Sequence, residues 1–263
     1  MGEYSEGVLV GDWNEKLLSR QAALNQFIQR KKSNSLLTQK SAKIKQNLLR
    51  EVQISVQPDG IVRYGDTVQI VNPEFNTAMS SVISHRDVYN VQDLQVGCVL
   101  SGSKNQTPCV RNVFKIASLD PDNELYKPLR YGDDFYLITT HDEQAPLYVQ
   151  SEIPNMNSTM GISKHPRVTL IANRNSHCRW SILSYNKNER DDLINCVVHA
   201  NVPIRINHSA SNQQLALESQ HKFYTIFGVE HEISVHTYMN IHKFEKIENA
   251  WIISAPEHKL ELQ

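Results

Sequence analysis

The residues that invite a chemical reading are His231-Glu232-Ile233-Ser234-Val235-His236, which carry the side-chain types of a zinc hydrolase. A zinc protease needs its two histidines at i and i+4 on one helical face, with the glutamate beside them as base. Here the second histidine stands at i+5 in a run that alternates like a strand, where i and i+5 point to opposite faces. The eleven histidines show no other ligand spacing, and no G-x-S-x-G, phosphate-binding loop or dinucleotide fingerprint occurs. Cys98, Cys109, Cys178 and Cys196 form no C-x-x-C pair, which predicts buried free thiols. These patterns predict no catalytic residue, no metal and no cofactor, and so a binding protein and not an enzyme.

Charge is distributed unevenly along the chain. The formal net charge is −1, but the first fifty residues hold nine Lys and Arg against four Asp and Glu, so an arm of +5 precedes a remainder of −6. The opening MGEYSEGVLVGDW has no basic segment followed by a long apolar one, and no window approaches about 18 apolar residues. The expectation is neither secretion nor a membrane span. The Asn-x-Ser/Thr motifs at Asn105, Asn157 and Asn207 then carry no weight.

Asp12 followed by Glu15 has the form of a capping box and predicts a helix from about Trp13. Leu17, Leu24 and Ile28 share one face; Arg30, Lys31 and Lys32 suit a helix C-terminus; Ser33, Asn34 and Ser35 break the helix. A second helix is predicted from about Leu36 to Leu49, with Leu37, Ile44 and Leu48 on a narrow stripe and Lys40, Lys43, Lys45 and Arg50 elsewhere. Stripes this thin build no core of their own, so the arm is expected to dock on the rest of the chain, on a partner, or on both. The candidate partner-binding residues are therefore Trp13, Leu17, Leu24, Ile28, Ile44 and Leu48, with Arg30, Lys31, Lys32, Lys43, Lys45 and Arg50. Nucleic acid is not expected, because only Trp13 and Phe27 accompany the basic residues of these helices and both lie on or near apolar faces.

After Val52 the pattern changes to short alternating runs between Gly, Asn, Asp and Pro clusters. Arg63-Tyr64-Gly65-Asp66 recurs 67 residues on as Arg130-Tyr131-Gly132-Asp133, each followed by a strand, Val68–Val71 and Phe135–Ile138. A third copy, Val202–Ile206, lacks the Gly-Asp turn. Second strands are expected at Ser80–Ser84, Leu147–Ser151 and Leu215–Ser219, and each unit closes on a large aromatic: Phe114, Trp180 and Trp251. Three four-stranded units predict an all-β domain, a β-trefoil, over residues 53–263 behind an N-terminal α-helical arm over 1–52. Propeller blades have a shorter period and a sandwich has no reason for a threefold one. Trefoil lectins of the ricin type carry a Gln-x-Trp in each unit, which is absent here, so sugar binding loses its main support; the alternative function is a cytosolic trefoil that binds a small ligand or glycan.

Several stretches resemble the family of cilia- and flagella-associated protein 161: Gly11-Asp12-Trp13-Asn14-Glu15, Lys45-Gln46-Asn47-Leu48-Leu49-Arg50, Tyr64-Gly65-Asp66 with Val71-Asn72-Pro73, Arg111-Asn112 with Phe114, Leu129-Arg130-Tyr131-Gly132, Ile206-Asn207-His208 and His236-Thr237-Tyr238. The resemblance spans nearly the whole chain. It implies a MIR-like β-trefoil and a non-enzymatic microtubule inner protein of the ciliary doublet. The partners it implies are α- and β-tubulin in the A-tubule lumen and other microtubule inner proteins, with neither nucleic acid nor membrane. The residues alone give a binding domain with a basic arm; only the resemblance supplies the axonemal address.

Overall fold

The computed structural model describes residues 9–55, 59–84, 87–120, 126–142, 144–155 and 160–255, with side chains from residue 14 onward. Helix α1 runs Leu9–Lys32, so Asp12 and Glu15 lie inside it and not at its cap. The start expected at Trp13 is four residues late: the helix already includes Leu9, Val10, Gly11 and Asp12, three of them weak helix formers, so local propensity does not account for the earlier start. The predicted stop is where it should be. Asn34 adopts a left-handed φ of 52°, Ser35 N–H reaches back to the Arg30 carbonyl (2.9 Å) and Asn34 N–H to that of Lys31 (3.3 Å), the paired bonds of a Schellman cap. Helix α2 follows at Leu37–Leu48. Gln39 ties the corner together, donating to the Lys31 carbonyl (3.1 Å) and to Asn34 Oδ1 (3.2 Å).

The rest of the chain is mostly β. Six strands, β1 (Thr67–Asn72), β4 (Val113–Ser118), β5 (Asp134–Thr139), β8 (Arg179–Ser184), β9 (Pro203–His208) and β12 (Trp251–Ser254), pair antiparallel in that order, and β12 returns to β1. The sheet closes into a barrel, so these strands present no free edge. The other six form hairpins: β2 (Thr77–Val82) with β3 (Val99–Ser103), β6 (Tyr148–Ser151) with β7 (Val168–Ile171), and β10 (Gln213–Thr225) with β11 (Gly228–Val235). Val99 meets Thr169, His231 meets Gly102, and Arg167 bridges to Ser234, so each hairpin touches the other two.

The positions singled out in the sequence meet in register. Val68 pairs with Phe114, Phe135 with Trp180 and Ile204 with Trp251, all at most 2% exposed. The Val62 amide donates to the Val198 carbonyl, Leu129 to Val62 and Val198 to Leu129, at 2.8–3.0 Å, closing a triangle of buried residues 67 and 69 apart. Gly65 and Gly132 hold φ of 96° and 90° while their amides donate to Ile116 and Ile182, each two residues past the closing aromatic. The turn that seemed missing ahead of β9 is present. Asn201 stands in the glycine's place with φ 59°, donating to Ile253, because Asn tolerates the left-handed region almost as Gly does.

Ile44 and Leu48 are fully buried and belong to the same apolar core as Val62, Phe114 and Trp251. Helix α2 is thereby part of the body, and the boundary expected at residue 52 falls after a segment already packed into it. Among the described residues no helix is long and apolar enough to cross a membrane.

Candidate partner-docking surface

Every described residue from 14 to 34 is exposed. Leu17 (39%), Leu24 (57%) and Ile28 (39%) thus lie in water along one face of a long helix. Leu18 and Phe27, also exposed, flank that face on opposite sides, each roughly a quarter turn away, with Gln21 and Asn25 on one side and Arg20 on the other in between. Neither entered the i, i+7, i+11 stripe; their only signal was apolar type at positions to either side of it. Trp13 lies in α1, but its side chain is outside the described residues. A helix of this kind gains little stability from propensity alone and is normally held by packing an apolar face.

The basic candidates are all exposed: Arg30, Lys31 and Lys32 in the last turn of α1, where cations oppose the helix dipole, Lys43 and Lys45 on α2, and Arg50 just after it. Two of the apolar candidates are corrected. Ile44 and Leu48 face inward, against the chain's own core, and have no surface left for a partner. Leu37, expected on the same stripe, remains exposed. Backbone and side-chain bonds fix α2 in place: Arg111 N–H donates to the Leu48 carbonyl (3.2 Å), Val110 N–H to Arg50 (3.0 Å), Asn47 to the Gln92 carbonyl (3.0 Å) and Lys40 Nζ to that of Tyr89. The arm is therefore one rigid attachment, α2, carrying one exposed helix, α1.

Buried polar groups elsewhere act as internal fasteners. Arg111 grips Glu230 through both carboxylate oxygens (3.0 and 2.8 Å), and Ser101 donates to the same group (2.6 Å). Burial alone would raise the Glu218 carboxyl, but donors on Ser234 (2.5 Å), Tyr238 (2.6 Å) and His165 (2.7 Å) outweigh it and hold that group below the ordinary carboxylate range. Glu232 accepts the amides of Ile162 and Ser163 (3.0 and 2.9 Å), and a Cβ on Gly161 would overlap that carboxylate. His231 is buried in β11 with its ring against the Glu218 carbonyl, whereas His236 stacks on His165 at 3.9 Å. Among the described residues no three His, Cys, Asp or Glu side chains are grouped to hold a metal ion. Cys98, Cys109 and Cys178 are buried, and burial pushes the Cys98 thiol up to about 11. Cys196 is exposed, contrary to the expectation for all four.

A cavity of about 270 Å³ opens where the three hairpins meet, walled by Val82, Ile83, Leu100, Phe223 and Ile233, with Arg167 and Glu232 as its charged groups. Its walls are mainly aliphatic.

The family model of the cilia- and flagella-associated protein 161-like domain matches residues 40–256. Cilia- and flagella-associated protein 161 of Danio rerio is 30% identical over 95% of this chain and 87% of its own length. That of Mus musculus is 31% identical with the same coverage. Among solved structures, the SDF2-like protein from Arabidopsis thaliana superposes with a TM-score of 0.55 at 12% identity, covering 74% of this chain and 94% of the other; a likeness at that identity concerns the fold alone.

Proposed function

This chain belongs to the cilia- and flagella-associated protein 161 family, and from that premise we propose that it is a structural, non-enzymatic protein of the ciliary axoneme, a microtubule inner protein that binds α- and β-tubulin in the A-tubule lumen beside other inner proteins. Its body is read as a MIR-like β-trefoil, a reading supported by the closed six-strand ring and the 67- and 69-residue spacings of its buried triangle. The ciliary location follows the family; the tubulin wall and the lumen are what the family resemblance implies.

The observation that carries a docking role is the apolar face of α1, on which Leu17, Leu24 and Ile28 stand exposed among the described residues. The arm's charge of +5 favours encounter with an acidic lattice. Exposed ion pairs are worth about 0 to 1 kcal/mol each and are screened by salt, so retention must come from burying Leu17, Leu18, Leu24, Phe27 and Ile28. At about 1.5–3 kcal/mol for each large apolar side chain fully buried, even partial burial outweighs the charges.

The test is a chain lacking residues 1–35, which leaves α2 and the core intact, expressed in cells without the full-length protein. It should fold as the intact chain does, yet be washed from axonemes by salt that leaves the intact chain in place. Equal retention of the two forms would refute docking through α1. The second reading, a small-ligand or glycan module, draws on the cavity between the hairpins; its aliphatic walls suit an apolar ligand better than a sugar. A soluble chain that binds such a ligand and never sediments with axonemes would favour that reading.

A further inference from the structure

Between β11 and β12 the chain leaves the barrel surface and returns through a tight excursion bounded by a bridge from Met239 to Glu245. Its tip is tied to itself. Asn240 N–H donates to the Phe244 carbonyl (2.8 Å), Lys243 N–H to the Asn240 carbonyl (3.0 Å), and Asn240 Oδ1 accepts the amides of His242 and Phe244 (2.9 Å each). Its base is fastened by charge. Glu245 takes two bonds from Arg190 (3.0 and 2.5 Å) and one from Gln214 (2.5 Å), while Arg205, 2% exposed, donates to the Lys246 carbonyl (2.5 Å).

On this fixed frame stand Ile241, 97% exposed, and Phe244, 59% exposed, flanked by exposed Met239 and Ile247. Apolar side chains held rigidly outward contribute nothing to the stability of the isolated chain, but they suit binding, since a pre-ordered loop loses little entropy when it docks. Within the loop itself the exposed ionisable groups are His242, Lys243 and Lys246, while the carboxylate of Glu245 is already engaged by Arg190 and Gln214. The chemistry of the loop is that of an apolar knob flanked by two lysines, Lys243 and Lys246.

We propose that the Met239–Ile247 loop is a second docking element, seating Ile241 and Phe244 in an apolar pocket of an acidic protein surface; resting on the reading above, that surface is the tubulin wall. Two anchor side chains are on the scale of a protein–protein hot spot. A lipid surface is the poorer match, because interfacial anchoring draws on a broad amphipathic face. A helix alone can roll about its axis; a second contact fixes the body's orientation.

The experiment compares the full-length chain with Ile241→Asp combined with Phe244→Asp, using isolated doublet microtubules, and with a photo-crosslinking residue placed at Ile241 in a separate variant. Both side chains point into solvent, so thermal unfolding of the double variant should match that of the intact chain. Its affinity for doublets should fall by about 30-fold or more, and the crosslinker should capture tubulin. Equal affinity of the two forms, capture of a protein other than tubulin, or vesicles of phosphatidylcholine and phosphatidylserine that retain the intact chain but not the double variant would each overturn the inference. An intact chain that does not sediment with doublets at all would refute the tubulin reading itself.

Discussion

Replacing Leu48 by Ala separates the two halves of the arm. Leu48 is fully buried in the common core, and its own carbonyl accepts the amide of Arg111, whose guanidinium grips the buried Glu230. Truncation removes three carbons from a packed site and leaves a cavity that the surrounding ring of strands cannot collapse to fill, for an expected loss of about 2–5 kcal/mol. The matching change on α1, Leu24→Ala, removes the same atoms from a position 57% exposed, so in the isolated chain it should lie within about 0.5 kcal/mol of no effect. Urea unfolding followed by tryptophan fluorescence is the assay. With a slope of about 2–3 kcal/mol per molar, the Leu48→Ala midpoint should fall by about 1–2 M and the Leu24→Ala midpoint should barely move. On axonemes the order reverses at temperatures where both variants are folded: Leu24→Ala should be extracted at lower salt. A Leu48→Ala chain as stable as the parent would mean that α2 is not part of the body, and the division between buried attachment and exposed helix would be wrong.

Trp180→Ala should cost about 3–5 kcal/mol in the same assay, and Trp180→Phe about 1–3 kcal/mol, since its indole N–H donates to the Val149 carbonyl (2.9 Å) and the ring is fully buried. Asn201→Gly should be close to neutral, whereas Asn201→Val, forced into φ 59°, should cost about 1–2 kcal/mol; equal midpoints for the two would refute the turn equivalence with Gly65 and Gly132. Stability should also fall with acid. Burial holds the His208 and His236 imidazoles below their ordinary value, so the unfolded chain takes up protons first as pH drops through about 6.5, and the stabilisation present above that pH is lost below it. Glu218, held low by its donors, adds a loss in the same direction at lower pH. A melting temperature that stays level from about pH 7.5 to about pH 5.5 would refute this, and His208→Gln should flatten the slope.

Local pattern carried the barrel. Val68, Phe135 and Ile204 begin strands that can be read from alternation, and Phe114, Trp180 and Trp251 close them at matching distances, because strand periodicity and a turn that demands positive φ are written in a few adjacent residues. Pattern failed where chemistry was substituted: Asn201 does what Gly65 and Gly132 do without looking like them. It also could not separate Leu17, Leu24 and Ile28 from Ile44 and Leu48, two stripes of equal thinness. What divides them is that α2 packs against the turn at Asp87–Tyr89 and beneath Arg111, contacts some forty to sixty residues away in sequence, whereas the described side chains of α1 from residue 14 onward stay exposed. The pairing of Arg111 with Glu230 and the exposure of Ile241 on a loop fastened by Arg190 and Arg205 are decided in the same way. A sequence fixes which residues are fit for burial, while the partner that buries them, or leaves them in water, arrives from a distant part of the chain only when the barrel closes.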